Sequence, residues 1–421
     1  MQKLKEFLSG AYTAYHATEL AEQALHENGF VKLSETDDWE LKEGGKYYVV
    51  RSGSSFVAFT VGSLDRFSFK IVASHTDSPA LKIIENPLVK TGAYSKLNVE
   101  TYGGGIWYSF FDRPLRLAGR IAYEEDGAVK TQTVSSPYLL TVPSVAVHMN
   151  RGVNDGFSVN AQVDLQPLFG LNGETDLFKS LTDKEVLSYD LYAVNADEPY
   201  SFGINDEFFA SPRIDNLTSV FSSLEALFAH ADSCGGCVVA ALDNEEVGSQ
   251  TLQGAGGDFL ENTLRRISYA FKFDDGEYYK ALASSFLISL DNAHAMHPNH
   301  PEKCDPTNQV VMGGGVVIKA HANKAYTTDA LSSATVKTVF KRAGVKFQTF
   351  FNRSDMRSGG TLGAISLSHV GVLSVDLGLA QLAMHSACEC IASTDYEELV
   401  NGLTAYYSSD ICVLDGQVEI K

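Results

Sequence analysis

The sequence predicts an α/β fold in which one α/β domain is split around an inserted β-rich domain. Three observations carry that expectation. Short apolar runs recur at Phe69–Ala73, Cys237–Leu242 and Phe286–Leu290, as expected of strands buried on both faces. After Pro212, strand-like and helix-like segments alternate, a pattern that builds α/β layers. Between Asn86 and about Tyr200 the texture changes to short alternating runs, with Gly103-Gly104-Gly105 and repeated Asn and Gly, which reads as strands and turns. The expected boundaries are 1–90 and 205–421 for the split domain and 91–204 for the insertion.

The elements follow in chain order. Leu4, Phe7, Leu8, Tyr12, Leu20, Ala24 and Leu25 fall at helical spacing and stop at Asn28-Gly29, a helix C-terminal signal, so one or two helices open the chain. Tyr47–Val50, Phe56–Thr60 and Phe67–Ala73 are short β-rich runs separated by Gly and by Asp/Arg turns. Beyond the insertion come a helix near Thr218–His230, then strands at Cys237–Leu242, Phe286–Leu290 and Val370–Val375.

Composition narrows the class of function. A chain of 421 residues has length for two or three domains and a large core. Lys and Arg number 33 against 52 Asp and Glu, a formal charge of −19, which argues against nucleic acid or an anionic membrane as the main partner. No apolar run approaches the roughly 20 residues that span a bilayer. The N-terminus has no apolar stretch followed by a cleavage signal. Six cysteines are too few for a disulfide scaffold, and a reducing cytoplasm is the simplest setting.

The informative pattern is where acidic and His residues fall. Ser74-His75-Thr76-Asp77 follows the first buried run, Asp243-Asn244-Glu245-Glu246 the second, and Asp291-Asn292-Ala293-His294 the third. Ser211-Pro212-Arg213-Ile214-Asp215-Asn216 precedes a helix, and Ala383-Met384-His385-Ser386 follows the last predicted strand. Open α/β sheets bind ligands at strand carboxyl ends. Any one such residue is more often a helix cap or a solvated turn residue. Together, carboxylates and imidazoles without cysteine suit a catalytic Zn, Mn or Co site. Two ions about 3.5–4 Å apart need a bridging carboxylate and leave room for a shared water. Of the adjacent Glu245 and Glu246, one can ligate while the other holds the water's proton at hydrogen-bond range. Asp77 can accept the second imidazole N–H of His75 and fix its tautomer.

These five segments, in this order and with His75-Thr76-Asp77-Ser78-Pro79 and Asp243 through Ser249 intact, resemble the successive motifs of the aspartyl aminopeptidase family, the M18 metallopeptidases. The resemblance runs from about Leu4 to Tyr407. It implies a split zinc-peptidase-like catalytic domain with two divalent ions, zinc first and Co or Mn as alternatives. His75 and Asp291 would complete one metal position, Glu246 and His385 the other, with Asp215 bridging and Glu245 as general base. It further implies that His148 meets the substrate oxyanion, from its own or a neighbouring subunit, and that His294 and Lys319 contact substrate. The implied activity is removal of N-terminal residues, preferably Asp or Glu, from peptides by a homo-oligomer, with a dodecamer among the closed assemblies the family builds. Two departures stand out. Family members often carry an Arg shortly after the last His-Ser pair, whereas Ala387-Cys388-Glu389 follows here; Arg357-Ser358-Gly359-Gly360-Thr361 replaces a more usual Gly-Ser-Thr pattern.

Other features read more plainly. Without the resemblance His148 would be a surface or interface His, and Lys319, ending the run Val316–Lys319, a solvated edge residue. Cys234-Gly235-Gly236-Cys237 has no second pair to make a zinc ribbon and reads as structural. Gly103–Gly105 and Gly313–Gly315 lack the context of a phosphate loop and read as turns or bulges. His297, His300 and His321 are left as loop residues beside the stronger ligand candidates. The alternatives are a broader dinuclear aminopeptidase, a deacylase of N-acyl amino acids, and a non-catalytic assembly protein that keeps its metal for structure.

Overall fold

A computed structural model describes residues 1–171, 176–231, 234–356, 359–366 and 369–421. Its centre is a nine-stranded mixed sheet. Four adjacent strands, Gly236–Leu242, Phe69–His75, Phe286–Leu290 and Leu373–Gly378, run parallel. Ser55–Val61 and Lys46–Arg51 extend the sheet antiparallel on one side, and Val316–Lys319 with Phe347–Phe350 on the other.

Alternation along the strands explains how both faces are buried. Val72, Val239, Ala241, Ile288 and Val375 face one layer, where Ile214–Ala229 and Ser393–Ser408 pack with the N-terminal helices Gln2–Gly10 and Ala14–Glu27. Ile71, Ala73, Val238, Ala240 and Leu287 face the other, against Phe259–Ala270 and Asp275–Ala283. No side of these strands meets water, which is why they read as continuous apolar runs rather than alternating ones.

Between Ala80 and Asn195 the chain builds a separate antiparallel sheet of six strands. Leu81, Ile83, Leu97, Leu115, Leu117 and Leu191 fill its own core. Its first strand, Ala80–Thr91, starts five residues after His75 ends a central strand, so the two sheets meet beside that residue. A third, five-stranded sheet joins Phe208–Ser211, Glu389–Ala392, Ala380–Leu382 and Ala293–His294, with Ser211 opposite Glu389. It draws together segments far apart in sequence.

Two expectations change. The last parallel strand is Leu373–Gly378 rather than Val370–Val375. Val370 and Val372 are apolar because they bury among the helices on the outer face, not because they pair in the sheet. Lys319 is not on an edge: its strand lies between two others, and the side chain is 1% exposed. Of the altered Arg357–Thr361 pattern, Arg357 and Ser358 lie outside the described residues.

Candidate metal centre

Three parallel strands deliver their next residues to one end of the sheet. His75 is the last residue of Phe69–His75, Asp291 the first after Phe286–Leu290, and Glu245 and Glu246 open a short 3-10 turn just beyond Leu242. Asp215 enters from the head of the helix Ile214–Ala229, where the backbone leaves helical geometry and the Asp215–Asn216 peptide is cis. His385 arrives on the turn between the strands Ala380–Leu382 and Glu389–Ala392.

The five side chains form two facing sets around Asp215. His75 Nε2 lies 3.4 Å from Asp215 Oδ1 and 3.8 Å from Asp291 Oδ1. His385 Nε2 lies 3.8 Å from Asp215 Oδ2 and 3.3 Å from Glu246 Oε1. One Asp215 oxygen therefore points to each set. Ligand atoms of His75, Asp215 and Asp291 all fall within 4.8 Å of one another, as do those of His75, Glu245 and Glu246. Asp215 Oδ1 and Glu246 Oε1 are buried without a hydrogen-bond partner. Orphaned carboxylate oxygens carry a desolvation penalty that a cation relieves. The donor set, imidazole and carboxylate only, is that of catalytic zinc and its neighbours in hardness.

Both histidines have their tautomer set by a carbonyl. His75 Nδ1 is 3.0 Å from the backbone oxygen of Asp77, and His385 Nδ1 is 3.0 Å from that of Gly104. A carbonyl can only accept, so each Nδ1 carries the proton and each Nε2 offers its lone pair to the centre. Gly104 belongs to the glycine run, which is a turn as expected and also supports the His385 imidazole. Gly103 beside it has φ +74°, and a Cβ there would lie 3.1 Å from the Glu246 Cβ.

The Asp77 carboxylate has other work. It accepts the N–H groups of Glu245 and Glu246, both at 3.1 Å, and the Tyr102 hydroxyl at 2.7 Å. Its Oδ1 lies 3.4 Å from His75 Nδ1, farther than its own carbonyl oxygen. Asp77 thus holds the turn that presents both glutamates. Tyr102, on a strand of the six-stranded sheet, gave no sequence signal.

The field of the site is strongly negative. Burial pushes Glu245 up to about 7, with Asp291, Asp77 and Asp215 adding to the effect and His75 opposing it. Glu246 is raised well above its usual range by burial and by Asp215. Burial favours neutral His75, but Asp215, Asp291 and Asp77 outweigh it and raise its pKa. Asp291 is held low despite burial because Lys319 and His75 lie beside it.

The remaining candidates are spread out. Lys319 Nζ donates to the Asn292 carbonyl at 3.2 Å, sits 3.7 Å from Asp291 Oδ2 and lies over the Tyr326 ring. His294 edges onto Phe350 at the mouth of the site; burial, with Lys319 and His385 nearby, lowers its pKa although Asp215 and Asp291 oppose this. His148 is exposed in the turn around Ala146–Met149, and among the described residues no hydrogen bond or ion pair joins it to the five-residue cluster. Arg213 has no sequence-assigned role, yet it is buried and donates to the Ala11, Asn195 and Leu8 carbonyls, tying the N-terminal helix and the six-stranded sheet to the Asp215 segment.

Comparison with known proteins points to one peptidase family. The family described as aminopeptidase I zinc metalloprotease (M18) matches residues 7–407. A probable M18 family aminopeptidase 2 from Clostridium acetobutylicum is 39% identical over 425 aligned positions, covering 97% of this chain and 98% of that protein. A relative of the same description from Pseudomonas aeruginosa strain UCBPP-PA14 is 37% identical, with the same coverage of both chains. Among solved structures, a chain of the cryo-EM structure of the Ape4 and Nbr1 complex superposes with a TM-score of 0.92 at 33% identity, covering 97% of this chain and 85% of that one. The S. cerevesiae mApe1 dodecamer superposes at 0.83 with 26% identity, covering 96% and 95%.

Proposed function

This chain belongs to the M18 family of zinc metallopeptidases and is a metal-dependent aminopeptidase; from that premise we propose that its centre holds two divalent ions and that it removes N-terminal Asp or Glu in preference to other residues. The observation that carries the two-ion reading is the Asp215 carboxylate, which turns one oxygen to His75 and the other to His385. In this reading His75 and Asp291 complete one position, Glu246 and His385 the other, and zinc fills both, with cobalt or manganese able to substitute. Divalent ions held by these residues would supply Lewis-acid polarisation of the scissile carbonyl and a lowered pKa for bound water.

The protein's own groups do the rest. Glu245, buried and pushed up to about 7, takes the proton of the attacking water and passes it to the leaving amine. His294 lies at the mouth, where it meets the substrate. Lys319 is the cation for an acidic substrate side chain; its burial beside Asp291 supports a strong interaction, since little water competes there. His148 is exposed and, among the described residues, makes no hydrogen bond or ion pair to the cluster, which favours delivery to the oxyanion of a neighbouring subunit's site. The inserted β-rich unit, read from the sequence as 91–204 and built by strands between Ala80 and Asn195, is the part through which copies associate, and the mApe1 neighbour's dodecamer makes a closed homo-oligomer the assembly of choice. We place this peptide-cleaving enzyme in the cytoplasm; no helix among the described residues is long and apolar enough to cross a membrane.

The test is hydrolysis of α-Asp, α-Glu, Leu and Lys p-nitroanilides after chelation and after return of Zn, Co or Mn, alongside metal analysis. Two ions per chain and an acidic preference support the reading. One ion per chain refutes the bridge, and equal rates on all four substrates refute the specificity.

A further inference from the structure

Glu389 is the acid that stands four residues after His385, and the structure gives it a position that packing alone does not require. It is 2% exposed and sits opposite Ser211 in the five-stranded sheet. Its Oε2 accepts the backbone N–H of Asp215 at 2.8 Å, and its Oε1 accepts the backbone N–H of His385 at 2.6 Å. One planar carboxylate thus joins the main chain of the bridging acid to the main chain of the partly exposed histidine that faces it. Burying a charge is costly unless it is hydrogen-bonded, and both oxygens here have donors.

The two backbones need such a tie. His385 has φ +65° and Ala383 φ +55°, a left-handed turn that non-glycine residues adopt only when their surroundings impose it. The other bonds on His385 reach away from Asp215: its carbonyl accepts the Ile106 N–H at 2.8 Å, and its Nδ1 meets Gly104. Among these ties, only Glu389 links the histidine to the acid it must share an ion with.

We propose that Glu389 is a positioning residue that sets the separation of Asp215 and His385 and thereby the affinity of the metal position they share with Glu246. The inference rests on the two-ion reading. It predicts an asymmetric effect, because Glu389 ties two of the three ligands of that position, Asp215 and His385, but only the shared Asp215 of the other, whose His75 and Asp291 are seated by the central strands. A glutamine at this place keeps one acceptor but turns an NH2 group toward the second N–H, whereas an aspartate keeps the charge but is one methylene short.

The experiment titrates chelated wild type, Glu389→Gln and Glu389→Asp with cobalt, reading visible absorption and heat of binding, with the melting temperature of each metal-free protein recorded. The expected result for wild type is two equivalents bound. For Glu389→Gln the first equivalent should bind within about threefold of wild type and the second about 10- to 100-fold more weakly, the range for a support behind a ligand. Glu389→Asp should fall between, and the metal-free melting temperatures should stay within a few degrees. Unchanged affinity for both equivalents in Glu389→Gln overturns the proposal and leaves the two-ion reading standing. Equal loss of both equivalents, or loss in step with a collapse of the metal-free fold in both variants, also overturns it by making Glu389 a general packing residue. A wild-type chain that takes a single equivalent refutes the two-ion reading and this inference with it.

Discussion

His385 Nδ1 lies 3.0 Å from the carbonyl oxygen of Gly104, a residue 281 positions earlier that belongs to the connection after a strand of the six-stranded sheet. One candidate ligand of the α/β domain is therefore aimed by the other unit. Gly103, next to it, has φ +74°, and a Cβ there would crowd Glu246 at 3.1 Å and meet Pro79 at 3.4 Å. Gly103→Val should weaken metal binding about tenfold or more and cost on the order of 1–3 kcal/mol of stability from backbone strain. Calorimetric titration with zinc and thermal melting check both; wild-type affinity in this variant would show that the glycine turn does not seat the ligands.

Removing the acid–base group should separate binding from turnover. Glu245→Gln is expected to keep its metal content, since the five ligand candidates are intact, while kcat falls about 10²–10⁴-fold. Metal analysis and steady-state kinetics on one preparation decide it, and near-normal turnover ends the general-base assignment.

His148→Ala should melt like wild type, because the side chain is exposed and outside the cluster, but lose at least tenfold in kcat. Mixing this variant with Glu245→Gln and reassembling the oligomer should restore part of the activity, since mixed assemblies contain sites with an intact Glu245 and a neighbour's intact His148. No recovery after verified subunit exchange argues against delivery between subunits.

Lys319→Met should raise KM for Asp and Glu substrates about tenfold while changing kcat/KM for a Leu substrate less than threefold. Equal effects on both substrates would assign the lysine to Asp291 alone.

Acid stability offers a readout away from the metals. His16 is held down to about 4, chiefly by burial and then by the Arg213 guanidinium. Unfolded histidine titrates near 6.5, so between pH 6.5 and 4 the unfolded chain binds the extra proton. Stability must fall as pH drops through that window. His16→Gln should flatten that part of the curve of melting temperature against pH for the metal-free protein; an unchanged slope removes His16 as a contributor.

The strands that carry the site were legible in the sequence because burial on both faces leaves an unbroken apolar signature, and the polar residues that follow Phe69–Ala73, Cys237–Leu242 and Phe286–Leu290 stand out against it. His75, Glu246 and Asp291 lie in segments chosen that way, whereas Asp215 came from a segment before a predicted helix and His385 from one after the last predicted strand. The supports were not legible. Tyr102 and Gly104 act from the other sheet, through a hydroxyl and a carbonyl that no local pattern marks. Glu389 was visible only as a remaining acid, because its partners are backbone N–H groups whose approach is created by tertiary folding. Lys319 looked like an edge residue because nothing in a four-residue run reveals strands pairing on both sides of it.

The order in which the ligands appear along the chain has a consequence for synthesis. His75 is made early, but the last of the clustered side chains, His385, and its support Glu389 come much later, Glu389 314 residues after His75. At 5–20 residues per second, translation takes roughly 16–63 s to cover that distance. A ribosome-bound chain can fold the early strands yet leave the cluster incomplete, so a peptidase built this way stays silent until the His385 turn has been made.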